Sequence, residues 1–442
     1  MSTVAAVATG PAPGGVGIIR LSGPEALEAV RAVAPGLPAR PRPRFAHLAR
    51  FVDRAGALLD EGLVLHFPAP RSYTGEDVVE LHAHGSPRLL SLLLGELLAT
   101  GRVVLAGPGE FTRRAWLNGR MPLEAAEAVA DLVAAESEAA VRAAAAQVSG
   151  ALAPQLAPVL ERVRALHADV EAVLSFPDEA EGAEVGLASR LVEAHAAVAR
   201  LCERARQGRV VRRGARVVLA GPPNAGKSTL FNRLLGEERA LVDEAPGTTR
   251  DALEARLELD GLAVTLVDTA GLREAPGRVE ALGIQRARAE VNAADLVLLV
   301  LPPGEDAQPW RAGLPGETPV VTLLSKADLE PPGVPPSPAA AGPLSVSGLS
   351  GEGVPEVLAA VRASLAGGGV AGAVAITGER HSGCLHRALE ALDRAQQAYA
   401  LSTLEVVAGE LGMALSALLD ITGEDASEAL LDEVFRRFCI GK

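Results

Sequence analysis

Residues 221–228 read GPPNAGKS, a complete GxxxxGK[ST] pattern. The segment follows the apolar run RVVLAG and opens the helical stretch STLFNRLLG, which is the context in which such a loop cradles phosphates. Gly221 and Gly226 let backbone N–H groups wrap the phosphates, and the helix N-terminus adds its positive end. Lys227 is expected to reach the β- and γ-phosphates and the Ser228 hydroxyl to bind Mg²⁺, with Asn224, Ala225 and Thr229 completing the loop. A chance glycine-rich turn is a poor alternative, because further phosphate-site elements follow in order. LVDTAG (266–271) supplies a strand ending in Asp268, a carboxylate for the surroundings of Mg²⁺, followed by Thr269, Ala270 and Gly271, whose N–H can meet the γ-phosphate. PGTTRD (246–251) lies between the two where a switch loop belongs, with Thr248 beside Thr249, the candidate Mg²⁺ ligand.

Base selectivity is legible further on. LLSKADL (323–329) places Lys326 and Asp328 after an apolar strand. Asp328 can accept from N1–H and the 2-amino group of guanine, a donor pair adenine lacks. Ser325 stands where Asn is usual in an NKxD pattern, and its hydroxyl cannot reproduce the amide's contacts. SVSGLSGEG (345–353) fits the loop that closes over the base through Ser347 and Gly348. These residues predict a GTPase domain. The residue after DTAG is Leu272, which cannot orient a water, so something else must do so.

The elements that position these groups follow from texture. Residues 1–119 mix short β-like runs (LVLHF at 63–67, VVELHAHG at 78–85) with Gly/Pro turns and one helical stretch at 87–101, predicting a compact α+β domain. Residues 120–210 are rich in Ala, Glu, Leu and Arg at helical spacing, predicting a helical bundle. Residues 211–370 alternate strand, Gly-loop and helix, predicting an α/β domain with a mostly parallel sheet. Helical texture returns over 371–442. The α/β domain therefore reads as an insertion in a helical domain, a multidomain α/β and α chain overall.

The 442 residues carry a net charge of −13, which argues against broad adhesion to DNA or to anionic membranes while leaving room for RNA on a local basic patch. Cys202, Cys384 and Cys439 are far apart without CxxC, predicting neither a disulfide framework nor zinc, and fitting a reducing cytoplasm. The opening MSTVAAVATG lacks a basic region before its apolar run, and no membrane span is expected. His82 and His84 share one strand face at a spacing that can bind metal, but with no third ligand evident, hydrogen bonding or packing is the better reading.

The segments GPPNAGKST, PGTTRD, DTAGLRE, GGVGIIRLSG (14–23), YTGEDVVELHAHG (73–85), PGEFTRRAWLNGR (108–120), FPDE (176–179) and the terminal FCIGK together resemble the MnmE (TrmE) family of tRNA-modifying GTPases, over essentially the whole chain. The resemblance implies an N-terminal folate-binding-like domain, a helical domain and an inserted Ras-like P-loop GTPase domain. It implies that a K⁺ ion replaces an arginine finger, held by the Asn224 side chain and by backbone carbonyls from Asp243 through Ala245 to Thr248. Glu280 then matches the catalytic glutamate that orients water indirectly; on its own it would read as a solvated charge. Arg20, Glu80, Arg120 and Lys442 match the contacts of a tetrahydrofolate, in its 5,10-methylene or 5-formyl form, with the C-terminal tail reaching the N-terminal domain. Arg120 stands where some members have lysine, keeping the charge with different geometry.

The family's reaction installs an aminomethyl-type (carboxymethylaminomethyl) group on C5 of the wobble uridine of certain tRNAs. It works with MnmG, an FAD-containing partner, as a homodimer joined through the N-terminal domain. Cys439 remains open between a nucleophile and a small residue holding the tail. A different class is a ribosome-assembly or signalling switch, since related K⁺-dependent GTPases share the PNxGKS loop. Such proteins carry RNA-binding modules after the GTPase domain, where this chain has helices ending in CIGK.

Overall fold

The computed structural model describes residues 2–10, 13–176, 186–237, 254–269, 278–316, 318–329, 342–366, 376–401, 403–423 and 428–442, with only the backbone described at 278–284 and 429. Asp243, Ala245, Thr248, Thr249, Ala270, Gly271 and all of FPDE except Phe176 lie outside the described residues, and Glu280 is placed only as backbone in the helix Arg278–Asn292.

The chain forms two compact units. The first comprises Met1–Val133, Gln147–Ala172 and Ala408–Lys442. Its sheet contains β1 (Thr3–Val7), β2 (Gly14–Ser22), β3 (His47–Val52), β4 (Leu58–Phe67), β5 (Val78–Gly85) and β6 (Val103–Leu105), in the order β3-β4-β5-β2-β1-β6. The pairings are antiparallel except β1 with β6. Alternation along the strands sends Ile19, Leu21, Val79 and Leu81 into a core shared with Leu90, Leu93 and Leu97 of the helix Pro87–Ala99. That helix begins with Ser86 as N-cap and Pro87 in its first turn, a residue already set at helical φ. On the sheet's other side a smaller cluster joins Val4, Ala6, Ala106 and Phe111, with Tyr73 packed against it.

The C-terminal tail belongs to this unit. In the helix Glu428–Arg436 the apolar spacing buries Leu431, Val434 and Phe435, which pack with Phe438 on Leu123 and Ala126. Beyond it Ile440 bridges Pro108, Gly109 N donates to Cys439 O at 3.4 Å and Phe111 N to Lys442 O at 3.2 Å. The tail is tied down.

The second unit comprises Ala134–Ala146 and Val173–Val407. Its sheet contains β7 (Ala215–Ala220), β8 (Glu254–Leu259), β9 (Leu262–Asp268), β10 (Leu296–Leu301), β11 (Val320–Ser325) and β12 (Leu344–Val346), in the order β12-β11-β10-β7-β9-β8. All neighbours are parallel except β8 with β9. The central strand β10 is buried along its whole length, which explains its unbroken LVLLVL. The long helix Leu187–Arg213 runs through Gly214 (φ 79°) into β7. It packs on the helix Glu379–Leu401, where Gln396 Nε2 donates to Leu191 O at 3.3 Å. The whole α/β sheet therefore lies, in sequence, between two helices that touch. The helical segments as a set divide between the two units.

Candidate nucleotide site and tail-capped N-terminal site

The phosphate loop sits where the parallel sheet demands, outside the C-terminal end of β7 and before the helix Lys227–Glu237. Gly221 has φ 141°, and a Cβ there would lie 2.0 Å from Val300 O, so only glycine lets the loop cross β10 this closely. Asn224 takes φ 60°, a turn its short polar side chain tolerates. Ala225 is buried, and Leu230 N bonds back to Gly226 O at 2.9 Å to start the helix. Lys227, 4% exposed, donates from Nζ to Gly221 O (3.2 Å) and Pro222 O (2.7 Å), holding its ammonium inside the loop.

β9 brings Asp268 to the same place. The Ser228 hydroxyl donates to Asp268 Oδ2 at 2.5 Å, and Thr269 Oγ1 donates to Leu219 O at 2.7 Å, tying β9 to β7. A hydroxyl and a carboxylate side by side are hard oxygen donors that fit Mg²⁺. Among the described residues no cluster of three His, Cys, Asp or Glu could hold a metal ion.

The base loop is joined to this helix. Ser347 Oγ donates to Asp328 Oδ1 at 2.5 Å while accepting from Leu349 N (3.2 Å) and Ser350 N (3.1 Å). Asp328 is thus braced on one oxygen, with carboxylate lone pairs left to accept further hydrogen bonds. A Cβ at Gly348 would stand 2.9 Å from Leu230 N, so this loop lies directly on the first turn after the phosphate loop. Lys326, at φ 61°, turns the chain from β11 into the base site. A hollow of about 430 Å³ opens beside them, lined by Ser228, Thr229, Asn232, Arg233, Gly236 and Gly348. Ser325, at the Asn position of the NKxD pattern, makes a contact within the sheet. It is 5% exposed, and its hydroxyl donates to Leu301 O at 3.1 Å, so it ties β11 to β10.

In the first unit, strand register places Arg20 directly opposite Glu80, and Arg20 Nε donates to Glu80 Oε1 at 2.9 Å. The Arg20 guanidinium lies 5.5 Å from the Tyr73 ring centre and 5.7 Å from that of Phe111. Tyr73 and Phe111 were missed as site residues; they lie inside the quoted YTGED and PGEFT segments, in a chain with only two Tyr and eight Phe. Burial pushes the Tyr73 phenol up against the opposing pull of its bond to Thr112 and of Arg20, so it stays a neutral hydroxyl. The Arg120 stem lies over the Gly75 turn, its Cγ 3.4 Å from where a Cβ at Gly75 would stand. Lys442 reaches the same neighbourhood through its main chain, bonded to Phe111. Cys439 is exposed and anchors the tail through its carbonyl, while Cys202 and Cys384 are buried. His84 is held by Asp60, Nδ1 to Oδ1 at 2.8 Å, and His82 by Glu80. Both make the hydrogen bonds expected of them.

Comparison with known proteins settles the family. Residues 3–120 match the family described as GTP-binding protein TrmE N-terminus, and residues 123–439 match the MnmE helical domain. The chain belongs to the MnmE family. It is 60% identical over 443 residues to the tRNA modification GTPase MnmE of Myxococcus xanthus (strain DK1622), covering 100% of this chain and 99% of that protein. The MnmE protein of Alkalilimnicola ehrlichii is 46% identical over 451 residues, at 100% and 99% coverage. That of Azoarcus sp. (strain BH72) is 43% identical, at 99% and 98%. Among the described residues no helix is long and apolar enough to cross a membrane.

Proposed function

We propose that this chain is a GTP-hydrolysing enzyme of tRNA modification. The observation that carries the reading is the 2.5 Å contact of Ser228 with Asp268, together with the buried Lys227, in a chain covered in full by its match to an MnmE protein. Lys227 and the loop N–H groups neutralise and orient the phosphates. Ser228 and Thr249 would hold Mg²⁺, which would supply charge neutralisation on the phosphate oxygens. Asp328, braced by Ser347, selects guanine. The family resemblance assigns K⁺ to Asn224 with carbonyls of Asp243, Ala245 and Thr248, and assigns Glu280, together with Lys227 and Gly271, to the hydrolysis of GTP.

The reading extends to the N-terminal site. Arg20 and Glu80 pair beside Tyr73 and Phe111, Lys442 is bonded to Phe111 through its main chain, and Arg120 lies over the Gly75 turn. This supports the reading that Arg20, Glu80, Arg120 and Lys442 supply the cations and the carboxylate for the glutamate tail and donor edge of a tetrahydrofolate. That cofactor supplies a one-carbon unit for C5 of the wobble uridine in certain tRNAs. The work is shared with an MnmG-type FAD protein, by a cytoplasmic homodimer formed through the N-terminal domain. The docked tail favours this over a switch without chemistry of its own, because such a switch has no use for a C-terminus folded against a ligand site.

The test is direct. GTP turnover of the full chain should be faster in K⁺ than in Na⁺, and Asn224→Ala should erase the difference. Wobble-position nucleosides of tRNA from cells lacking the protein should lose the C5 substituent. Equal rates in both salts remove the K⁺ assignment, and unchanged tRNA removes the modification role.

A further inference from the structure

Glu80 and His82 stand two residues apart on β5, so their side chains share the face opposite the buried Val79 and Leu81. On β2, Arg20 lies opposite Glu80 and Ile18 opposite His82. The Glu80 carboxylate is gripped at both oxygens: Arg20 Nε donates to Oε1 at 2.9 Å, and His82 Nε2 stands 3.2 Å from Oε2. A carboxylate only accepts, so Nε2 carries the proton in this contact. The side chains of Arg20, Glu80 and His82 are 20%, 14% and 24% exposed, sheltered but not sealed from solvent.

The last torsion of a glutamate turns in a broad, two-fold well. A single donor on Oε1 fixes one oxygen and leaves the plane of the carboxylate free to swing about it. A second donor on Oε2 stops that swing. Two adjacent N–H donors of a flat heterocycle are received together by a carboxylate lying in their plane, and presetting that plane removes an ordering cost from binding.

We propose that His82 is a positioning residue for folate recognition: it sets the carboxylate plane of Glu80 so that the remaining lone pairs of both oxygens face the donor edge of the pterin ring. This rests on the reading of Arg20, Glu80, Arg120 and Lys442 as a folate site. His82 touches Glu80 and reaches the ligand only through it. A ring packed for bulk alone would need its shape and not its N–H, and the two roles separate by substitution.

The experiment is titration calorimetry of the full chain with 5-formyltetrahydrofolate, with melting temperature and GTP turnover measured on each protein. His82→Gln keeps an N–H donor within reach of Glu80 and should bind within about twofold of wild type, whereas His82→Leu should bind about tenfold more weakly, the value of one lost hydrogen bond. GTP turnover and melting temperature should be unchanged in both. Glu80→Gln, which presents a donor to the ligand, should lose binding altogether. If His82→Leu binds like wild type while Glu80→Gln fails, the positioning role is overturned and the folate site stands. If His82→Gln falls as far as His82→Leu, the N–H is not what matters and the proposal is overturned as well. If Glu80→Gln binds like wild type, the folate site itself is misplaced and His82 falls with it.

Discussion

The backbone N–H of Phe111 donates to the main-chain oxygen of Lys442 at 3.2 Å, while the Phe111 ring stands 5.7 Å from the Arg20 guanidinium. The last residues of the sequence thus brace an aromatic wall of the N-terminal site. Gly441 makes the approach possible: at φ 101° it passes Val7 so closely that a Cβ would lie 2.2 Å from Val7 O.

Gly441→Ala must therefore move the tail or strain it by about 1–3 kcal/mol. Binding of 5-formyltetrahydrofolate should weaken roughly tenfold or more on that account, and deletion of residues 439–442 should abolish it. GTP turnover should stay near wild type in both, since the phosphate machinery lies in the other unit. A loose tail predicts no change in any measurement, and calorimetry beside a GTPase assay decides it.

Asp268 shares its Oδ2 with the Ser228 hydroxyl. Asp268→Asn removes the negative charge that would attract Mg²⁺, and GTP turnover should fall by about two orders of magnitude, the equivalent of roughly 3 kcal/mol. GDP affinity measured in EDTA should change little, because the loop N–H groups and Lys227 remain. Chelation of Mg²⁺ should stop wild-type turnover while barely altering the variant's residual rate.

Asp328→Asn exchanges an acceptor for a donor at the base. GTP affinity should drop by about one to two orders of magnitude, as for a hydrogen bond to a charged group, and xanthosine triphosphate should bind better than it does to wild type. Ser347→Ala frees Asp328 without changing its chemistry, so it should weaken GTP binding less and leave selectivity intact. Fluorescent-nucleotide competition reads all three values.

His66 supplies a pH dependence in the first unit. Among the described residues, neither of its buried ring nitrogens has a hydrogen-bond partner. Burial holds its pKa below the ordinary 6.5, opposed by the charge of Asp77 and reinforced by that of Arg31. A base with a depressed folded-state pKa binds more protons when unfolded, so its contribution is intact above pH 6.5 and shrinks as pH falls toward the folded-state value. Melting temperature of the wild type should decline over that window, and His66→Leu should flatten the decline. Parallel curves for the two proteins would place the acid sensitivity elsewhere.

Much of this protein is written in contiguous stretches. The phosphate loop, the Asp268 strand and the Asp328 loop were legible because each is a short contiguous motif of residues at fixed spacing, on strands whose apolar runs announce a buried parallel sheet. The pairing of His82 with Glu80 was latent in the period of a strand, which puts alternate residues on one face.

Other relationships appear only when the chain closes on itself. Nothing local places Arg20 opposite Glu80, because register between β2 and β5 depends on which faces bury Ile19 and Leu81. Sequence showed only that Ser325 replaces the usual Asn; the fold is what brings Leu301 O at the end of β10 to its hydroxyl. The tail is the clearest case. From FRRFCIGK alone, docking could be argued only from apolar residues with nowhere else to go. Its landing place was decided by the cluster around Leu123 and by the N–H groups of Gly109 and Phe111, which find their acceptors in the tail, a pairing a sequence does not show because only the fold determines which backbone groups meet.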